Sequence, residues 1–210
     1  MQALADSRAL HVLLNEIVTP AACTLEPGTE QTLRKQLDDM HKRAFAAAKA
    51  HLLTQTFSSW LLHTSLALHA RPLRRKAGAQ AWPAQAQGLV TERLTAYSKQ
   101  LQRTQLQPAP LHRLRKHGKQ LRYQLAASAL HPAIGKTLAQ LQETLGQLND
   151  LHGAAAIFGR LPATHADIIA AIGQHHVPRH AQLLLQAEAQ LKQLRREMRK
   201  LSSDSRRSQA

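Results

Sequence analysis

LHRLRKHGKQLRYQL, residues 111–125, and LAQLQETLGQLNDLHGAAAIF, residues 138–158, decide how this chain is read. In the first stretch Leu111, Leu114, Leu121 and Leu125 recur at helical spacing and define a buried stripe. His112, Arg115, Lys119 and Arg122 are spaced three, four and three, so at about 100° per residue they fall within an arc of roughly 80° on the same helix. The basic row thus lies beside the apolar stripe instead of opposite it. Two readings follow. The row faces a groove, where like charges repel until an anion is supplied; or it is a solvated face whose Arg and Lys stems drape over the edge of the core. Spacing does not choose between them.

Outward from this stretch the pattern stays helical. Ala, Leu and Gln dominate, β-branched residues are few and apolar positions recur at three and four, which predicts an all-α fold without strands. A first helix over residues 2–18 would bury Leu4, Leu10, Leu14 and Ile17 and stop at Thr19-Pro20. After a loop at Pro27-Gly28, a second over 30–53 would bury Leu33, Leu37, Met40, Ala44 and Ala47. A third, over 55–69, would turn Phe57, Trp60, Leu61 and Leu68 inward, continuous with the second or not. Residues 70–86, with Arg71-Pro72, the cluster Arg74, Arg75 and Lys76, Gly78 and Trp82-Pro83, read as a long loop or broken segment. A fourth helix takes 87–105, and the basic helix starts near Pro110 and stops at His131-Pro132. Gly118 inside it costs about 1 kcal/mol relative to Ala; a closely approaching neighbour explains it, and so does a surface position. Further helices are expected over 133–158, over 164–172 behind a Thr164/Asp167 capping box, and from Pro178. The last carries a seam of Leu184, Ala187, Leu191, Leu194, Met198 and Leu201, suited to a bundle or to self-association through 184–201.

Composition narrows the partners. Lys and Arg total 28 against 13 Asp and Glu, a formal charge of +15, which favours polyanions without saying which. Thirteen histidines add charge in mild acid. Cys23 is the single cysteine, so no intrachain disulfide forms and a reducing cytoplasm fits. No run of 18 apolar residues and no signal pattern is seen, so a soluble cytoplasmic protein with no membrane partner is expected. Aromatic residues make up 3% of the chain, which argues against reading single-stranded nucleic acid by stacking.

The basic helix resembles the second signature of the CHAD family, the conserved-histidine α-helical domain. The pattern H-x-L-R-x-x-x-K-x-L-R-Y is present as His112, Leu114, Arg115, Lys119, Leu121, Arg122 and Tyr123, and LQETLGQLNDL at 141–151 is similar to the family's next helix. The resemblance implies two pseudo-symmetric antiparallel helical bundles whose basic residues line a central channel that binds inorganic polyphosphate, without catalysis and without a cofactor. It implies that His112, Arg115, Lys119 and Arg122 contact phosphate, with His112 the most effective when protonated. Tyr123 is read as packing, while Asn149 and Asp150 orient basic side chains or cap and pair locally. LADSRALHVLL at 4–14 resembles a worn copy of the first half's second helix, with Ala9 and His11 at two acidic positions of the pattern. The first basic helix would precede Met1, so the expected domain, residues 1–201, has an incomplete first half (1–105), a second half (106–201) and a disordered tail (202–210). Truncation, degeneration or a partner that supplies the helix would each explain this. Arg8 and Arg43 sit where the family tends to be basic and are further candidates for the channel wall.

Paired carboxylates, a nucleophile elbow and a glycine-rich phosphate loop are missing from the pattern, so no catalytic residue is assigned. His165, His175, His176 and His180 could cluster around a metal, yet no Cys or carboxylate stands in register, and no metal ligand is assigned. Charge-driven nucleic-acid binding and a helical scaffold are the alternatives to polyphosphate, and association with polyphosphate granules would follow from the first reading.

Overall fold

The computed structural model describes residues 2–25, 28–70 and 75–207, leaving aside the side chains at 3, 68–70, 75–86 and 202–207. The fold is an all-α helical bundle, with no strand among the described residues. Helix α1 spans Gln2–Val12 and passes through a π-helical segment, Leu13–Val18, into α2, Thr19–Ala22. Then follow α3 Gln31–Leu52, α4 Gln55–Ala70, α5 Arg75–Arg103, α6 Pro108–Ser128, α7 Pro132–Phe158 and α8 Ala166–Arg207.

Contacts divide the chain into two compact units that do not follow chain order. Unit 1 comprises residues 1–73 and 150–178. There α1 packs on α3, and Leu10, Leu13, Leu14, Ile17, Val18, Leu33 and Leu37 close a core with Ala154 and Ile172. Unit 2 comprises residues 74–149 and 179–210. There α5 packs on α6, and Val90, Leu94, Tyr97 and Leu101 are buried, as are Leu114, Leu121, Leu138, Leu145, Leu191 and Leu194.

Several expected boundaries moved, for physical reasons. Thr19-Pro20 does not stop the first helix. The N–H of Thr19 bonds the carbonyl of Leu14, five residues back, and its hydroxyl donates to the same oxygen at 2.7 Å. Pro20 then falls in the first turn of α2, directly after the π segment, where the i→i−4 ladder is already interrupted. The carbonyl of Ile17, inside the π segment, accepts from His176 Nε2 at 2.8 Å, so a buried histidine completes the irregular turn. Pro178 does not start a helix either. It lies inside α8, a helix of 42 residues that absorbs both helices expected over 164–201, and it leaves no N–H for the carbonyl of Gln174. The entry to α8 is a 3-10 turn, Ala163–His165. The far end runs to Arg207, into the stretch expected to be disordered. Within 70–86, expected as loop, α5 already begins at Arg75. The side chains of Leu68, Arg74, Arg75 and Lys76, and Pro27, lie outside the described residues.

Leu53 and Thr54 separate α3 from α4, and the N–H of Phe57 donates to Thr54 Oγ1 as an N-cap. Trp60 and Leu61, expected inward, are 59% and 54% exposed, and Leu62 and Leu66 are exposed with them. Residues 55–70 contain no Asp, Glu, Lys or Arg, so periodicity could not single out a buried face. In α3 Ala48 is buried and Ala47, expected inward, is exposed; the two lie equally far, about 50°, on either side of the stripe Leu33, Leu37, Met40 and Ala44, so spacing could not choose between them.

Candidate anion-binding site

Helix α6 starts with Pro108, whose ring suits a first turn, and ends at Ala129 in the left-handed region, φ 54°. It buries Leu111, Leu114, Leu121 and Leu125 as its spacing predicted. Gly118 is buried with them. A Cβ there would lie 2.5 Å from Gln142 Nε2, 2.7 Å from the Tyr97 hydroxyl and 3.2 Å from Leu138 Cδ1. Of the two explanations for this glycine, the close approach of α5 and α7 is the one the structure shows. Neither the Tyr97 hydroxyl nor Gln142 Nε2 has a hydrogen-bond partner, and burial pushes the Tyr97 phenol well above its ordinary value.

That close approach fixes the rotation of α6 and hence where its basic row lies. His112 and Lys119 are exposed, Arg115 and Arg122 half-buried. The Nε atoms of Arg115 and Arg122 are buried without a hydrogen-bond partner. Residues 108–128 contain no Asp or Glu. The ion pairs Lys42–Asp39 and Lys192–Glu188 lie on α3 and α8, and among the described residues no carboxylate pairs with Arg115, Lys119 or Arg122. His112 Nδ1 donates to Asn149 Oδ1 at 2.8 Å, so the expected role of Asn149 in orienting a basic side chain is seen directly. A carboxamide oxygen only accepts, so Nδ1 holds a hydrogen and Nε2 is left outward; Nε2 can donate to an anion only in the imidazolium form.

Tyr123 was expected to pack, and it is 55% exposed, with the Arg122 guanidinium 5.0 Å from its ring centroid. At the edge of the apolar stripe one residue step decides burial, and the ring instead takes the cation. Arg8 and Arg43 belong to unit 1, on α1 and α3, and both are exposed. Arg43 lines a cleft of about 470 Å³ with Asp6, Leu10, Met40, Ile157 and Arg160. The structure thus brings four of the six candidates together on one helix of unit 2.

Sequence reading missed the role of Arg195. Its guanidinium donates to the carbonyls of Leu101 (2.8 and 3.2 Å) and Thr104 (3.3 Å), closing the C-terminal end of α5. No local signal set it apart from its basic neighbours on α8. Among the histidines, His176 is committed to Ile17 and His165 Nε2 donates to Gln36 Oε1 at 2.7 Å. Among the described residues no three His, Cys, Asp or Glu converge to hold a metal, and no helix is long and apolar enough to cross a membrane.

The fold and the site together define an all-α helical bundle with a basic row beside the buried stripe of one helix. The family model of the CHAD domain matches residues 1–158, and the chain belongs to the CHAD domain family. No curated protein and no solved structure was found to match it.

Proposed function

We propose that this protein binds inorganic polyphosphate without catalysis, through the row His112, Arg115, Lys119 and Arg122, in the cytoplasm and at polyphosphate granules. The observation that carries this reading is the pair of half-buried arginines whose Nε atoms lack partners on a helix free of carboxylates. Guanidinium groups held near the core without counter-charge are costly unless an anion completes them. Arg supplies a planar donor fork and Lys a point charge, and a linear polyphosphate offers repeating charge without bases, sugars or grooves to read. Membership of a family associated with polyphosphate supports the same ligand. Arg8 and Arg43 add positive charge in unit 1 under this reading. Arg195, by contrast, is occupied by carbonyls and is left out of the site.

The test is a titration with long-chain polyphosphate near physiological salt, with duplex DNA as competitor. The Arg115→Ala/Arg122→Ala variant is expected to weaken binding about a hundredfold or more, since a hydrogen bond to a charged group contributes about 1.5–3 kcal/mol. DNA is expected not to displace the ligand from the wild type. Equal binding by the variant, or displacement by DNA at equal charge, would show that the row is only a charged surface.

A further inference from the structure

Unit 2 carries a basic pocket that the row does not line. A pocket of about 390 Å³ opens where α5 ends and α6 begins, lined by Lys99, Gln100, Arg103, Thr104, Gln105 and Arg113, with Ala96 and Pro110 as its apolar margin. On α6 Arg113 lies about 140° around the helix from the centre of the row His112, Arg115, Lys119 and Arg122. The pocket is therefore a separate feature of the same helix.

Four observations define what it can hold. Lys99, Arg103 and Arg113 converge with no acidic residue among the lining side chains, and among the described residues none of the three is neutralised by an ion pair. The walls are held in place: Arg195 donates to the carbonyls of Leu101 and Thr104, which anchors the turn. His117 Nδ1 donates to Gln100 Oε1 at 2.7 Å, so the Gln100 amide nitrogen remains a donor. Lastly, the lining contains no aromatic ring on which a base could stack and no carboxylate to hold a metal ion.

From these features we propose that the pocket binds a short run of two or three phosphates ending in a terminal group. Three cations and the Gln100 amide N–H donors match such an anion, while the Thr104 hydroxyl is spent on the Gln100 carbonyl at 2.8 Å. A terminal phosphate carries up to about two negative charges near neutral pH, more than an internal one, so the pocket selects ends over the interior of a chain. Pyrophosphate, tripolyphosphate and the end of a long polyphosphate share this chemistry. Only the chain-end source rests on the function proposed above; the pocket itself does not.

Calorimetric titration of the full chain with tripolyphosphate at fixed ionic strength tests it. The Arg103→Ala/Arg113→Ala variant, which removes two exposed side chains, is expected to keep its helical circular dichroism and to bind at least about tenfold more weakly. Arg103→Lys/Arg113→Lys is expected to retain part of the affinity, which separates lost charge from lost structure. Lys136→Ala/Arg196→Ala, which removes two exposed cations that belong to neither the row nor the pocket, is expected to leave tripolyphosphate binding within about twofold. Weakening by the row variant and not by the pocket variant would overturn the proposal, as would unchanged binding in the pocket variant. ATP binding more than about tenfold tighter than tripolyphosphate would overturn it too, since the lining has nothing to read a base. Long chains with both ends esterified then identify the source. If capping removes the difference between wild type and pocket variant, the pocket takes chain ends; if free short phosphates alone show that difference, they are the ligand. A row variant that still binds long chains as wild type sinks the proposal that the row binds polyphosphate and leaves this site standing.

Discussion

Gly118 is the residue on which the geometry of the α6 row turns. Its missing Cβ lets the Tyr97 hydroxyl, Gln142 and Leu138 approach within distances that a methyl group would not permit. Gly118→Ala is expected to destabilise the protein by about 1–3 kcal/mol in urea unfolding. Adding Tyr97→Phe should recover part of that loss by removing one clashing atom, a coupling that a double-mutant cycle reads directly. Wild-type stability for Gly118→Ala would mean the helices separate freely. Tyr97 also makes stability fall on the alkaline side. With its ionisation pushed up by burial, the unfolded phenol releases its proton above about pH 10 while the folded one keeps it, so stability present below that value is lost as pH rises further.

His112 is oriented by Asn149, to whose Oδ1 its Nδ1 donates at 2.8 Å. If the row takes polyphosphate as proposed, Asn149→Ala, which frees the ring, is expected to weaken that binding by about two- to tenfold in the same titrations. Unchanged binding would show that the orientation of the ring does not matter.

Among the elements, α6 ends on a strained residue. Ala129 takes φ 54°, and the nearby His131 takes φ 48°, a region where a side chain costs about 1 kcal/mol and glycine does not. Ala129→Gly is expected to raise stability by about 1 kcal/mol in denaturant melts, and a loss of stability would contradict this cap. The helices themselves were legible wherever apolar residues recur on one side: the buried leucines of α6 and the seam from Ala187 to Met198 stand where spacing put them. Boundaries drawn at prolines were not legible. The rule counts the missing N–H, but Pro20 follows a π segment that has already shifted the hydrogen-bond ladder, and one carbonyl of that segment, Ile17, is bonded by His176, 159 residues on; no local pattern reports either. The row on α6 could be read because it is periodic within one helix. The pocket at the α5–α6 junction could not, because Lys99, Arg103 and Arg113 meet only once two helices are packed.

The whole molecule is threaded in an interleaved way. Both α7 and α8 contribute residues to each compact unit, since the divisions fall at Asp150 and after Pro178. Neither unit is a continuous stretch, so neither should survive a cut in the chain. A chain ending at Asn149 lacks Ala154 and Ile172 of one core and Leu191 and Leu194 of the other. Such a chain is expected to lose its cooperative thermal transition by circular dichroism. A sharp transition in it would show that one of the two units is self-sufficient.

The same threading has a consequence during synthesis. The apolar faces of α1 and α3 are finished only when residues 150–178 reach them. At roughly 5–20 residues per second, the ribosome makes the first part of unit 1 wait on the order of ten seconds for its complement. Through that interval Leu10, Leu13, Leu33 and Leu37 lack the partners that α7 and α8 later supply. The emerging chain thus shows an unfinished apolar face for that interval, and slower synthesis of residues 150–178 is expected to lower the yield of folded protein.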